Sequence, residues 1–240
     1  MKRTGRLRER LAVFAMRSVG LSAWRLAERL GLNTGATEGP PVATDPASRA
    51  AFEELIASAC DGDGTIDVAS CPHPVHELLT YIVSERGYLL HGSNDPGLRV
   101  LEPRPARDLG TELHAVVACD DGIWPLFYAV VNRKRIEAMF TNCLHVGRPP
   151  RQRRFYMFAL VADPAAEETW TQGVVYALPR EGFRPEWGNE WVSEQPVRPL
   201  LRVPVAPEDF PLRESVVGLS DTGELRRVVR HLRASTRSRS

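Results

Sequence analysis

The sequence has few cysteines and no long apolar run, and each shortage excludes a class of protein. Four cysteines among 240 residues form no C-x-x-C pair, so a disulfide scaffold is not predicted and reduced thiols indicate a cytoplasmic protein. No uninterrupted run of about 18 apolar residues occurs, so a membrane-spanning helix is not expected. With 43% hydrophobic and 25% charged residues, the composition is typical of a soluble globular protein.

The sequence also lacks the motifs of the common enzyme classes. It has no phosphate-binding glycine loop, no Gly-x-Ser-x-Gly elbow and no His-Glu-x-x-His zinc helix. Cys60, Cys71, His73 and His76 are possible soft ligands, but their spacing is loose and the intervening prolines restrict convergence. The Asp/Gly segment 61–67 lacks two of the strongest ligands of a calcium loop and is interpreted as a turn. No metal is expected.

Basic residues are concentrated at the two ends of the chain. Only two of the 31 basic residues are lysines, as in proteins from G+C-rich bacterial genomes. Residues 1–30 carry a net charge of +6, residues 225–240 another +6, and residues 31–224 carry −11. Basic ends on an acidic body can bind anionic lipid or nucleic acid.

Patterning predicts four segments. A basic amphipathic helix is expected over 1–32, a Gly/Pro-rich linker over 33–47, a globular domain over 48–225 and a basic disordered tail over 226–240.

Within the globular domain, helical patterns come first and strand patterns dominate later. This order indicates an α+β fold rather than alternating βαβ units. The predicted helices are 46–60, 74–86 and 123–133, and the predicted strands are 88–90, 113–119, 155–161, 171–178, 190–193 and 200–205.

One group of residues offers chemistry. His91, Gly92 and Ser93 follow a short apolar strand, and the glycine is expected to let a ligand approach a backbone freed by the end of that strand. Far downstream, Asn189 and Glu190 place a carboxylate at the start of another strand.

Three segments together resemble the ADP-ribosyltransferase superfamily, in its His-Tyr-Glu branch that includes poly-ADP-ribose polymerases. The first is the strand end His-Gly-Ser at 91–93. The second is Val-Val-Ala-Cys-Asp at 116–120, where the family has roughly Val-Tyr-Phe-Ala-Asp. The third is Asn-Glu-Trp-Val-Ser at 189–193, similar to the family's Asn-Glu-Tyr-x-Val-Tyr. The resemblance covers about residues 85–205.

The resemblance implies a split mixed or antiparallel β-sheet with flanking helices, which holds NAD as co-substrate and cleaves its nicotinamide–ribose bond. His91, Gly92 and Ser93 correspond to the residues that hold the ribose and carboxamide. Glu190 corresponds to the catalytic glutamate, whose carboxylate would stabilise an oxocarbenium-like transition state. Glu194 is a second candidate, because it would share a face with Glu190 in a continuous strand. The side chains of His91 and Glu190 should then converge on one ribose, within about 10 Å.

The family tyrosine is replaced by Val117, so the site is either remodelled or binds without turnover. Three functions therefore stay open: an ADP-ribosyltransferase or NAD glycohydrolase, a non-catalytic nucleotide- or protein-binding module of the same fold, and an α+β protein that acts through its basic termini on anionic membrane or nucleic acid. The acceptor, protein or nucleic acid, and the oligomeric state are left open.

Overall fold

The structure is a computed structural model that describes residues 36–41, 46–108, 111–147, 152–186 and 188–226. The predicted helix over 1–32 and the basic tail beyond Arg226 lie outside the described residues. Among the residues described, no helix has the length and hydropathy that a membrane span requires.

This part of the chain contains both helices and strands, which confirms the predicted α+β class. The helices are α1 (Pro46–Asp61), α2 (Val75–Arg86) and α3 (Trp124–Val130). The strands are β1 (Thr37–Glu38), β2 (Leu89–Ser93), β3 (Arg104–Asp108), β4 (Thr111–Cys119), β5 (Met139–Val146), β6 (Arg153–Leu160), β7 (Gly173–Leu178), β8 (Arg184–Pro185), β9 (Glu190–Ser193), β10 (Leu201–Val205) and β11 (Val217–Gly218).

The first two helices follow from apolar spacing and were predicted nearly residue for residue. In α1, Phe52, Ile56 and Ala59 recur every three to four residues and are buried. The second helix ends at Arg86, and its capping residue Gly87 has φ 68°, a left-handed conformation that glycine adopts without a Cβ clash.

Backbone contacts divide the chain into two compact units, although the sequence suggested one globular domain over 48–225. The small unit comprises the described residues within 1–39, 136–164 and 215–240, and the large unit comprises those within 40–135 and 165–214.

The small unit is built on β6. It pairs with β1 and β5 in antiparallel fashion and with β11 in parallel. Because Thr37 and Glu38 form β1, part of the segment predicted as a linker belongs to this sheet. A small apolar core contains Ala159, Val161 and Leu219.

The large unit is an antiparallel sheet in the order β10-β7-β2-β4-β9-β8, with β3 also paired to β4. One face carries the main apolar core, whose buried members are Leu89, Leu101, Val116, Ala118, Val174, Tyr176, Leu178 and Val197. The opposite face packs against α3.

This sheet splits beside β2. On one edge β2 pairs with β7 over all five of its residues, but on the other edge it pairs with β4 only at Leu90 and Cys119. The expected split sheet is therefore present, and the two strands separate beyond this single pair.

The helix α3 lies directly on the backbone of the sheet at two glycines. A Cβ built on Gly92 would be 1.9 Å from the carbonyl oxygen of Pro125 and 2.8 Å from the amide of Ala129. A Cβ built on Gly173 would be 1.9 Å from the Ala129 carbonyl oxygen. Because Gly92 pairs with Val175, two residues from Gly173, both glycines face α3. Only residues without a side chain allow this approach.

Two predicted elements differ from the structure. The strand predicted over 88–90 does not stop before His91: β2 runs from Leu89 to Ser93, because β7 pairs with every residue of it. The helix predicted to Arg133 ends at Val130, because Val131 instead forms a bridge with Trp170.

Substitution Gly92→Ala should destabilise the protein by about 3 kcal/mol, because the new methyl group cannot fit under α3 without moving its backbone. Urea unfolding would measure the loss. The control Gly62→Ala places a methyl group no closer than 3.4 Å to any other atom and should stay within about 0.5 kcal/mol of the parent protein. Equal effects of the two substitutions would contradict the close packing of α3 on Gly92.

Candidate functional site

The ring of His91 bridges the split. Its Nδ1 lies 2.7 Å from the carbonyl oxygen of Val117 in β4. If the pairing of Leu90 with Cys119 continued, Gly92 would lie opposite Val117. The histidine side chain therefore satisfies a carbonyl at a point where the ladder of backbone pairs has stopped.

This contact determines the tautomer of His91. A carbonyl oxygen only accepts hydrogen bonds, so Nδ1 must carry the proton. In the neutral ring Nε2 is then an acceptor, and no other residue in the described part of the chain forms a hydrogen bond with it. The site thus offers one oriented acceptor to a donor such as a ribose hydroxyl.

The surroundings of His91 favour the neutral ring. Burial lowers the pKa of His91 below its ordinary value, and the charges of Arg133 and Arg104 lower it further. The hydrogen bond to the Val117 carbonyl acts in the opposite direction and is the weaker influence. His91 is therefore an acceptor at neutral pH rather than a cation.

The expectation that Gly92 gives a ligand access to the backbone face is wrong. The space above it is filled by α3, whose Pro125 carbonyl contacts the glycine directly. The absent side chain serves helix packing. Ser93 ends β2, and its Oγ accepts a hydrogen bond from the amide of Asp95 at 3.1 Å, which begins the following turn.

Glu190 is the first residue of β9 and is partly buried. It pairs with Cys119, which in turn pairs with Leu90, so these three residues share one face of the sheet. The Cβ of His91, next in sequence to Leu90, is on the opposite face. The two side chains therefore leave opposite faces of the sheet, which argues against the predicted convergence of His91 and Glu190 on one ribose. Glu190 lies two strands from β2, about 10 Å away.

Glu194 is not a companion of Glu190. Strand β9 ends at Ser193, so the alternation that would have placed both glutamates on one face does not reach residue 194. Its side chain is exposed and forms an ion pair with Arg184 at 3.4 Å. The structure does not bring Glu194 to the split.

The asparagine before Glu190 positions β9 against the end of β4. Asn189 is buried, and its side-chain amide donates to Asp120 Oδ1 at 2.9 Å, while the Asp120 amide donates to the Asn189 carbonyl at 3.2 Å. Next to this pair, burial raises the pKa of the Cys119 thiol well above its ordinary value, which favours the protonated thiol at neutral pH.

Three residues that the sequence analysis did not assign lie near the ends of β2 and α3. Asn94 donates to the Ala129 carbonyl at 2.7 Å and accepts from the Arg133 amide at 3.3 Å, so it ties the end of β2 to the end of α3. Tyr128 of α3 is partly buried, with the Arg133 guanidinium 5.3 Å from its ring centre. The only sequence signal was the proximity of Tyr128 to the segment that resembles the family.

Comparison of the chain with protein families, curated proteins and solved structures finds no match.

The arrangement presents one hydrogen-bond acceptor, Nε2 of His91, on one side of the sheet, while α3, which carries Tyr128, packs on the other. A reaction at a ribose held by His91 would also need a carboxylate on the same side of that sugar.

Because His91 has a lowered pKa, it should stabilise the fold at neutral pH and lose this contribution in acid. The free energy of unfolding should fall as the pH drops below about 6.5, the ordinary pKa of histidine, and continue to fall through the lower pKa of folded His91. In His91→Asn, an amide can still donate to Val117, but this part of the pH dependence should vanish. Urea unfolding of both proteins between about pH 5 and pH 7.5 measures how the free energy of unfolding depends on pH.

The matched control is His114→Asn, which removes an exposed histidine from β4. It should leave the pH dependence of the parent protein in place. If His91→Asn and the parent protein show the same dependence, His91 is not held neutral in the folded state.

Proposed function

We propose that the protein binds NAD in the split between β2 and β4 and acts as a non-catalytic nucleotide-binding module similar to ADP-ribosyltransferases. The observation that carries this proposal is the bridge from His91 to the Val117 carbonyl across the split. It rests also on the family resemblance of the three segments around 91–93, 116–120 and 189–193.

The chemistry of His91 suits a ribose. A sugar hydroxyl can donate to Nε2, and the bond from Nδ1 to Val117 holds the ring in orientation before the ligand arrives. A preorganised acceptor loses little freedom on binding, so more of the hydrogen-bond energy contributes to affinity. The lowered pKa keeps this acceptor available at neutral pH.

Three observations favour binding over turnover. The Cβ of His91 and the carboxylate of Glu190 leave opposite faces of the sheet. Val117 lies at the position where the ADP-ribosyltransferases that these segments resemble have a tyrosine. The face of Gly92 is covered by α3. Each removes part of the geometry that cleavage of the nicotinamide–ribose bond would require.

A second candidate is an NAD-cleaving enzyme, and the split itself favours it. Since β2 and β4 are paired only at Leu90 and Cys119, a ligand in the gap beyond them is not confined to one face of the sheet. Glu190, in register with Cys119, is at the paired end of that gap. Its charge could then act on a ribose whose hydroxyl is held by His91.

Calorimetric titration with NAD tests the first proposal. The parent protein should bind, and His91→Ala should weaken binding about tenfold, because one oriented hydrogen bond is worth roughly 1.4 kcal/mol. His114→Ala, the control, should bind as the parent does. Absence of NAD binding to the parent protein would refute both candidates.

A nicotinamide-release assay separates binding from turnover. The parent protein in excess over NAD should release no nicotinamide above the rate without protein, and Glu190→Gln should bind NAD with unchanged affinity. Release by the parent protein that disappears in Glu190→Gln would establish the enzyme and overturn the non-catalytic assignment.

A further inference from the structure

Residues 95–100, between β2 and β3, form a strap over one face of the sheet of the large unit. Leu98 of the strap packs against the main apolar core, to which β2, β4 and β7 contribute residues from that face. Beyond the strap, Leu101 and Val197 exchange two backbone hydrogen bonds, at 2.8 Å and 2.9 Å. The strap is therefore fixed at one end by the pairing of β2 and at the other end by this bridge.

The hydroxyl of Tyr176 in β7 holds the middle of the strap. It donates to the Asp95 carbonyl at 2.7 Å and accepts from the Leu98 amide at 3.2 Å. In the described part of the chain, no backbone–backbone hydrogen bond joins the strap to any other segment. Its other hydrogen bonds are local ones within residues 93–97. A single side-chain oxygen thus provides the long-range hydrogen bonds of the strap.

The strap lies on the side of the sheet toward which the Cβ of His91 points. Tyr176 pairs with His91 in the ladder between β7 and β2, so their Cβ atoms leave the same face about 5 Å apart. Tyr176 is fully buried, whereas His91 is only partly buried. The opposite face is occupied by α3 at Gly92. The strap therefore covers the side of the sheet from which a ligand approaches the His91 ring.

We propose that the strap is a gate over His91, that the Tyr176 hydroxyl is its latch, and that release of this latch admits a ligand to Nε2. The identity of the ligand as NAD rests on the proposed function; the gate itself does not. Opening breaks both hydrogen bonds at the hydroxyl and lifts Leu98 from the core, while the two ends of the strap stay in place. Segments with few long-range contacts open locally without unfolding the rest of a domain.

The latch sets how often the gate is open. The Tyr176 hydroxyl bonds to a carbonyl and an amide at once and so stabilises the closed strap. Ligand affinity is then reduced in proportion to the fraction of molecules that are open. Tyr176→Phe keeps the aromatic ring in the core and removes only the hydroxyl, so it should leave the sheet intact and raise the open fraction.

Amide hydrogen exchange, measured by NMR on the full chain, tests the latch. In Tyr176→Phe the Leu98 amide loses its acceptor and should exchange about tenfold faster. The Leu101 amide, bonded to the Val197 carbonyl, should exchange at the rate of the parent protein, which would show that the fold is intact. The control Tyr88→Phe removes a hydroxyl that forms no hydrogen bond within the described residues and should change neither rate.

Diethyl pyrocarbonate tests access to His91. This reagent transfers an ethoxycarbonyl group to the unprotonated imidazole nitrogen, which in His91 is Nε2. The displaced ethyl carbonate takes up the ring proton and breaks down to ethanol and carbon dioxide. Peptide mass spectrometry should show His91 modified about tenfold faster in Tyr176→Phe than in the parent protein. The exposed His114 should react at the same rate in both proteins.

Two exposed strap positions provide a test that leaves Tyr176 in place. Gly97 is not in the left-handed region, and a Cβ built on it would be 3.4 Å from its nearest neighbour, Asp95 Oδ1. Gly97→Ala should therefore stiffen the strap and slow the modification of His91 about twofold. Pro96→Gly should loosen the strap and accelerate the modification about twofold. A modification rate of His91 that is unchanged in these two variants and in Tyr176→Phe would overturn the gate.

Stopped-flow measurement of NAD binding distinguishes failure of the gate from failure of the proposed function. Tyr176→Phe should bind NAD about tenfold faster than the parent protein does, and bound NAD should protect His91 from modification. If NAD does not bind while the exchange and modification results hold, the proposed function fails and the gate stands. If NAD binding depends on His91 but Tyr176→Phe alters neither its association rate nor the modification of His91, the gate fails.

Discussion

The arrangement of the large unit depends on the close approach of α3 to the sheet at Gly92 and Gly173. At both positions the helix backbone occupies the volume that a Cβ would need. The helix is therefore placed by backbone-to-backbone contact, and even a methyl group would displace it. Because Asn94 bonds to the Ala129 carbonyl and the Arg133 amide, the position of α3 also determines where Tyr128 and Arg133 lie relative to His91.

The separation of β2 from β4 leaves backbone groups of both strands without their sheet partners. A strand edge with unpaired carbonyls is costly where it is buried, so the groups released by the separation of β2 and β4 need other partners. The His91 ring supplies one of them, at Val117. The same hydrogen bond that satisfies the backbone sets the tautomer and turns Nε2 into an acceptor. Because the proposed binding role of His91 depends on this structural hydrogen bond, replacement of His91 is expected to affect stability as well as affinity.

Local patterns predicted the elements that have strong periodicity or sharp ends. The helices at 46–61 and 75–86 and the strands at 111–119 and 190–193 agree with the structure to within one or two residues at each end. Weakly patterned strands were missed: β3 contains arginines and a proline, and β5 mixes polar with apolar residues. The structure brings only some of the predicted site residues near one another. His91 lies at the split and Glu190 lies two strands away, whereas Glu194 is outside β9.

The sequence by itself determined the α+β class, the main helices and the position of a glutamate at the start of a strand, because these follow from spacing over a few residues. Tertiary structure decided the faces on which His91 and Glu190 lie, the occupation of the space above Gly92 by α3, and the hydrogen bond between the His91 ring and the Val117 carbonyl. The physical reason is register: a shift of one residue in a pairing between distant strands moves a side chain to the other face of the sheet, and no local pattern records that choice.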